Sequence, residues 1–124
     1  MRDHKKLRAF TLADELAIDD YQMTMNFPKE KIYGLTSQMR RAAVSIASNI
    51  VEGCAQESQS EYLRFLEIGF GFLRELHFQF SLSSRLGYLS DKVISMSEQK
   101  LVEAEIVLGA LIRSIRRSIN PNSL

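Results

Sequence analysis

Residues 90–118 read SDKVISMSEQKLVEAEIVLGALIRSIRRS, and the spacing of this stretch decides the fold. Ile94, Ser97, Leu101, Ala104, Leu108, Leu111 and Ile115 alternate steps of three and four without interruption. That rhythm draws one narrow stripe along a long helix, as in the seam of a helix bundle. Ser90 opens the run, and Asn120-Pro121 closes it. A lone helix of this kind has nothing to bury its stripe against, so the rest of the chain must supply partners.

Three earlier segments supply them. Helix three carries Tyr62, Phe65, Leu66, Gly69, Leu73, Leu76 and Phe80 on one face, with a Ser58/Glu61 capping box before it and Gly87 after it. Helix two carries Leu35, Met39, Ala42, Ala43, Ile46 and Ile50, and Gly53 reads as a left-handed stop. Its small residues Ala42, Ala43, Ser45, Ala47 and Ser48 admit a neighbouring backbone closely. Helix one carries Leu12, Leu16, Met23 and Phe27, with Thr11 and Asp14 resembling a capping box and Pro28 as the stop. The helices are expected at roughly 11–27, 36–52, 58–86 and 91–118 of one 124-residue domain. Short connections make consecutive helices antiparallel. The expected architecture is all-α, an up-down-up-down four-helix bundle.

Composition agrees with a globular chain: 45% hydrophobic residues, 25% charged, only 2 prolines and 6 glycines. A net charge of +1 is low for a protein that relies on bulk phosphate contact, so nucleic-acid binding would need local clustering or repetition of a patch by symmetry. The single cysteine, Cys54, precludes an internal disulfide and suits a reducing cytosol. No apolar run reaches the roughly 18 residues of a membrane span. Met1 to Arg8 is charged and leads into no apolar signal core, so a cytoplasmic location is expected.

A second set of apolar residues falls outside the seams. Phe78 and Leu82 point away from the core face of helix three, four residues apart. Ile18, Tyr21 and Met25 do the same on helix one, and Val44 and Val51 on an outer flank of helix two. Their recurrence at helical spacing marks a contact surface, either between copies of the chain or for another protein.

Catalytic chemistry is sparse. His4 falls in a flexible lead-in, and His77 has no Glu or His at a metal-supporting spacing, since Arg74 stands where a Glu-x-x-His pair needs its acid. There is no Cys-x-x-Cys, His-Glu-x-x-His, phosphate loop or dinucleotide fingerprint. Gly69-Phe70-Gly71 lies inside an apolar helix and eases close packing, and Cys54 is read as a structural thiol. No catalytic residue, cofactor or metal is expected. Asp20 projects towards the inner stripe of helix one, between Leu16 and Met23. A rim position, with the carboxylate in water or beside a basic residue, is expected because burying it unpaired is costly.

Positive charge gathers at the two ends. Arg2, Lys5, Lys6 and Arg8 should neighbour Arg113, Arg116 and Arg117, which also complement the dipole of helix four. Lys29, Lys31, Arg40 and Arg41 gather at the opposite end, with Arg85 and Lys92 nearby. Lys29, Lys31, Arg40 and Arg41 are the candidate RNA-contacting residues.

At helix two the chain resembles a known family. Tyr33-Gly34-Leu35-Thr36-Ser37-Gln38-Met39-Arg40-Arg41-Ala42-Ala43-Val44-Ser45-Ile46, continuing through Ser48-Asn49-Ile50-Val51-Glu52-Gly53, resembles the 23S rRNA intervening-sequence proteins, also called four-helix-bundle proteins. Asn26-Phe27-Pro28-Lys29-Glu30, Glu61-Tyr62-Leu63-Arg64-Phe65-Leu66 and Arg85-Leu86-Gly87-Tyr88-Leu89-Ser90 are similar at matching places. The resemblance implies a four-helix bundle, in some members a pentamer, often encoded inside insertions in large-subunit rRNA genes. Related accessory proteins of retroelements engage RNA and a reverse transcriptase. The implied partners are therefore further copies of the chain, structured RNA, or a polymerase-like protein. Arg40, Arg41, Asn49 and Glu52 match the family motif. The chain departs from it at Ala47, commonly proline, at Asp20, usually apolar, and at Phe78, usually polar.

Overall fold

Ion pairs and close contacts between the helices fix their directions. The computed structural model describes residues 2–121 and holds α1 (Arg8–Thr24), α2 (Ser37–Cys54), α3 (Gln59–Arg85) and α4 (Asp91–Ile119), with no strand among the described residues. Arg40 near the start of α2 donates to Thr24 at the end of α1, while Arg2 ahead of α1 meets Cys54 at the end of α2. Gly53 lies against Tyr62 and Phe65, and Met39 against Ser83, so α2 and α3 run oppositely. Glu67 pairs with Arg116 and His77 with Glu98, reversing α4 against α3. Lys100 reaches Asp19, and Arg8 reaches Glu103, which closes the ring of α1, α2, α3 and α4. The bundle is antiparallel throughout.

The caps explain most of the boundaries. Ser58 Oγ accepts from the Glu61 amide at 3.1 Å, and Ser90 Oγ from the Val93 amide at 3.3 Å. Each satisfies an orphan donor at a helix start, a contribution of about 1 kcal/mol. At the far end of α3, Gly87 adopts φ 79°; its amide reaches Ser84 O at 3.0 Å, and that of Tyr88 reaches Ser83 O at 3.1 Å. This pair of bonds is a Schellman stop.

α1 differs from expectation at both ends. It starts at Arg8, three residues before Thr11, and ends at Thr24 rather than Phe27. The Thr11/Asp14 box goes unused because the chain is already helical there: Thr11 Oγ1 turns back to Leu7 O at 3.4 Å. His4 is not in a loose lead-in. It belongs to a short 3-10 turn, His4–Lys6, whose Asp3 cap accepts from the Lys5 amide, and its ring packs edge-on against Phe10 at 4.6 Å. Between α1 and α2 the chain makes a 3-10 turn, Lys29–Lys31, and a wide turn, Ile32–Thr36, in which Gly34 leaves helical geometry.

The core is built from Leu12, Leu16, Met39, Ala43, Ile46, Ile50, Leu66, Leu73, Phe80, Leu101 and Leu108, among others. Gly53 is not a left-handed stop: α2 runs through it to Cys54. A Cβ there would sit 3.0 Å from Phe65 Cβ, so the glycine is needed for the close approach of α2 to α3. At Gly69 a Cβ would meet Ile46 O at an ordinary contact distance of 3.4 Å, and Gly71 faces open space. Phe65 and Leu35 are only half-buried. On α4 the buried set is Leu101, Ala104, Leu108 and Ile112, with Leu111 and Ile115 half-buried. A straight helix has 3.6 residues per turn, so the buried face drifts from a strict three-four alternation and reaches Ile112.

Candidate nucleic-acid and assembly surfaces

The turn between α1 and α2 sets the first surface. Pro28 leads into the Lys29–Lys31 turn, and among the described residues neither lysine forms an ion pair. The end of α3 and the start of α4 lie at the same end of the bundle and bring exposed Arg85 and Lys92. Arg41 is exposed on α2, 3.6 Å from Glu75, with its guanidinium 5.8 Å from the Phe72 ring. Lys29, Lys31, Arg85 and Lys92 thus share one end, interspersed with Glu30 and Asp91, while the Arg41 guanidinium lies further along the bundle beside Glu75.

Arg40 is placed differently from the other three. Its Nε donates to Thr24 Oγ1 at 2.9 Å, a second nitrogen donates to Tyr21 O at 3.3 Å, and its guanidinium lies 4.6 Å from the Tyr21 ring centre. Thr24 in turn donates to Asp20 O at 2.7 Å. Arg40 is a clasp between α2 and the last turn of α1.

The two termini share one end of the bundle, linked through Gln59. Arg2 donates to Gln56 O at 2.6 Å and to Gln59, which reaches Ser118 at 3.3 Å. Arg8 and Arg116 are committed to Glu103 and Glu67. Arg2 lies 4.0 Å over the Tyr62 ring.

Of the outer apolar residues, Ile18, Tyr21, Met25, Val44 and Phe78 are exposed, Phe78 to 61% and Met25 to 75%. Leu82 and Val51 are only half-buried, not fully exposed, because both lie nearer a helix flank. Two further features escaped the sequence reading. Val102 and Ile106 lie four residues apart on the outer side of α4, a spacing visible in the sequence but hidden by attention to the seam. Tyr33, in the wide turn, is 97% exposed, and no helical periodicity signals it.

The interior holds one surprise. Asp20 is not at the rim: it is 1% exposed, and neither carboxylate oxygen has a hydrogen-bond partner. Leu16, Met23, Leu76, Phe80, Ser97 and Leu101 surround it. Burial raises its pKa from 3.8 to about 7, against the opposing pull of the Arg40 charge. The core stripe of α1 leaves no other direction for position 20, and an unpaired carboxyl tolerates such a place by taking up a proton.

His77 and Cys54 are placed by their neighbours. The His77 ring bridges two turns of α4, with Nε2 2.9 Å from Glu98 and Nδ1 3.0 Å from Glu105. Arg74 also reaches Glu105, at 2.7 Å. Burial pulls the His77 pKa down, but the hydrogen bonds and charges of Glu105 and Glu98 outweigh it and hold the pKa above 6.5. Cys54 is buried, and burial pushes its thiol upward despite a hydrogen bond with Tyr62. Among the described residues no group of three or more His, Cys, Asp or Glu is placed to hold a metal ion, and no helix is long and apolar enough to cross a membrane.

The fold and its surfaces define a four-helix-bundle protein whose distinctive features lie on its outside. The family model described as "23S rRNA-intervening sequence protein" matches residues 5–110, and the chain belongs to that family. A crystal structure of a protein of unknown function from the S23 ribosomal protein family of Bacteroides thetaiotaomicron is similar, with 19% identity and a TM-score of 0.76 over 85% of this chain and 95% of that one. At that identity the likeness bears on the fold. No curated protein matches the chain.

Proposed function

We propose that the protein is a non-catalytic, cytoplasmic homo-oligomer, a pentamer as the family resemblance implies, that associates with structured RNA. The observation that carries this reading is the gathering of Lys29, Lys31, Arg85 and Lys92 at one end of the bundle, with exposed Arg41 further along; among the described residues Lys29 and Lys31 form no ion pair. One copy has a net charge of only +1, but a symmetric ring would repeat the cluster and multiply phosphate contacts. Arg40 contributes by holding α1 to α2 beneath the cluster rather than by touching RNA.

The test is binding of a structured RNA at low and moderate salt. Replacing Lys29, Lys31 and Arg41 together by alanine should weaken binding at least tenfold and flatten the salt dependence, with unchanged helicity. Equal binding by the triple variant, or none by the parent at low salt, overturns the reading.

Exposed Phe78 favours a second reading, an accessory subunit that docks a polymerase-like protein through its outer apolar residues. Charge at Phe78 would then abolish partner capture while leaving RNA binding intact.

A further inference from the structure

α4 is held in two different ways along its length. From Leu101 onward it is anchored by buried apolar side chains, but no residue from Asp91 to Lys100 is fully buried. That first segment faces an open groove of about 380 Å³ shared with α1, lined by Met23, Val93, Met96 and Ser97 among others. It is bounded by Leu101 on one side and on the other by Tyr88, whose ring packs 5.3 Å from Phe27. Between those anchors Ile94 packs half-buried against the core, and the remaining ties are polar: Glu98 to His77 on α3, and Lys100 to Asp19 at 2.7 Å and Glu15 at 3.5 Å on α1. Ser97 and Leu101 also form the α4 wall of the recess around Asp20.

We propose that the segment from Asp91 to Lys100 is a pH-gated arm, closed over the bundle while Asp20 and His77 carry their protons and opening locally as they lose them. Closed, the arm lays Ser97 against Asp20 and completes an enclosure otherwise built from α1, α3 and Leu101, which suits only the neutral carboxyl. Open, it hydrates Asp20, which returns towards its ordinary affinity for protons, and removes Glu98 from His77, which loses part of its added affinity while Glu105 stays in place. Opening therefore releases protons, and rising pH drives it.

The charged groups around both sites are few. Asp20 is faced from α2 by Arg40, from α3 by apolar Leu76 and Phe80, and from α4 by Ser97 and Leu101; Lys100 and Asp19 pair with each other nearby. His77 is faced from α4 by Glu98 and Glu105, with Arg74 on its own helix. The two pH windows adjoin. Asp20 titrates near 3.8 when hydrated and at about 7 when enclosed, so it acts between those values. His77, still raised above 6.5 by Glu105 when the arm is open, acts in a narrower window above that value, up to its closed-state pKa.

Amide hydrogen exchange of the full chain across mildly acidic to mildly alkaline pH, corrected for intrinsic rates, tests the proposal. Opening of the arm, measured against α2, should grow by up to about tenfold per pH unit below neutrality, the signature of one proton released. In Asp20→Asn, a neutral near-isostere, that rise should vanish and leave only the shallower His77 rise above pH 6.5. In Asp20→Asn with His77→Gln the profile should be flat. Protection of the arm that ignores pH, or a wild-type slope that survives in Asp20→Asn, overturns it. So does a carboxyl carbon resonance showing Asp20 ionised at its ordinary value.

Discussion

The α2–α3 seam and the amino-terminal half of α4 solve the same packing problem by opposite means. Along the seam, Gly53 brings the two helices together, and Met39, Ala42, Ala43, Ile46, Ile50, Leu66 and Leu73 fill the interface. Along the first turns of α4, long charged side chains span a groove from the outside. Close apolar contact is short-ranged and indifferent to pH, so the seam has one arrangement. Ion pairs at partly exposed positions contribute little each and depend on protonation and salt. The contrast separates a half of the bundle held by close apolar packing from one held largely by charged ties.

Truncating the seam should break the comparison most sharply. Leu66→Ala removes a side chain with no exposed surface and should cost about 2–5 kcal/mol in urea unfolding. Ile94→Ala, on half-buried α4 surface, should cost no more than about 1 kcal/mol. Equal costs would erase the distinction.

Glycines sharpen it at the next scale. Gly53→Ala forces a methyl against Phe65 Cβ at 3.0 Å and Tyr62 Cδ1 at 3.3 Å, and should lower stability by about 1–3 kcal/mol. Gly71→Ala, two residues beyond Gly69 but facing open space, should raise stability by up to about 1 kcal/mol through helix propensity. Thermal unfolding that moves both variants the same way would remove close backbone approach as the cause.

The smallest effect is the one that varies with pH. His77 has a folded pKa raised above its ordinary 6.5, so its stabilisation is full below that value and fades as pH rises through the raised one. His77→Gln should therefore cost about 1 kcal/mol in mildly acidic solution and almost nothing in alkaline solution. A cost that stays constant with pH would show that the ring acts by shape alone.

Much of the bundle was legible in the chain, for reasons that differ by element. α3 and α4 announce themselves because their serine caps act locally, through a hydroxyl and an amide three residues on. Gly87 stops α3 for an equally local reason, its positive φ. α1 was harder: its start depends on the Asp3-capped turn that precedes it, and the Thr11/Asp14 pair imitated a cap that the fold does not use. Gly53 shows the limit of local reading. A glycine near a helix end suggests a stop, yet this one exists because Phe65 lies against it across the seam. On the surface, Phe78, Ile18, Tyr21 and Met25 could be read from helical phase, and Lys29, Lys31 and Arg41 from charge. The clasp made by Arg40 could not, since Thr24 and Tyr21 lie on another helix.

The sequence by itself determined four helices, their order and the faces they bury, because helical periodicity, capping and turn chemistry are settled within a few residues along the chain. Tertiary structure alone decided that Asp20 is enclosed and unpaired, that His77 is gripped between Glu98 and Glu105, and that full burial along α4 begins at Leu101. Those outcomes depend on which side chains from distant helices converge on one point, where water is excluded and the energy of a charge is set by its neighbours in space.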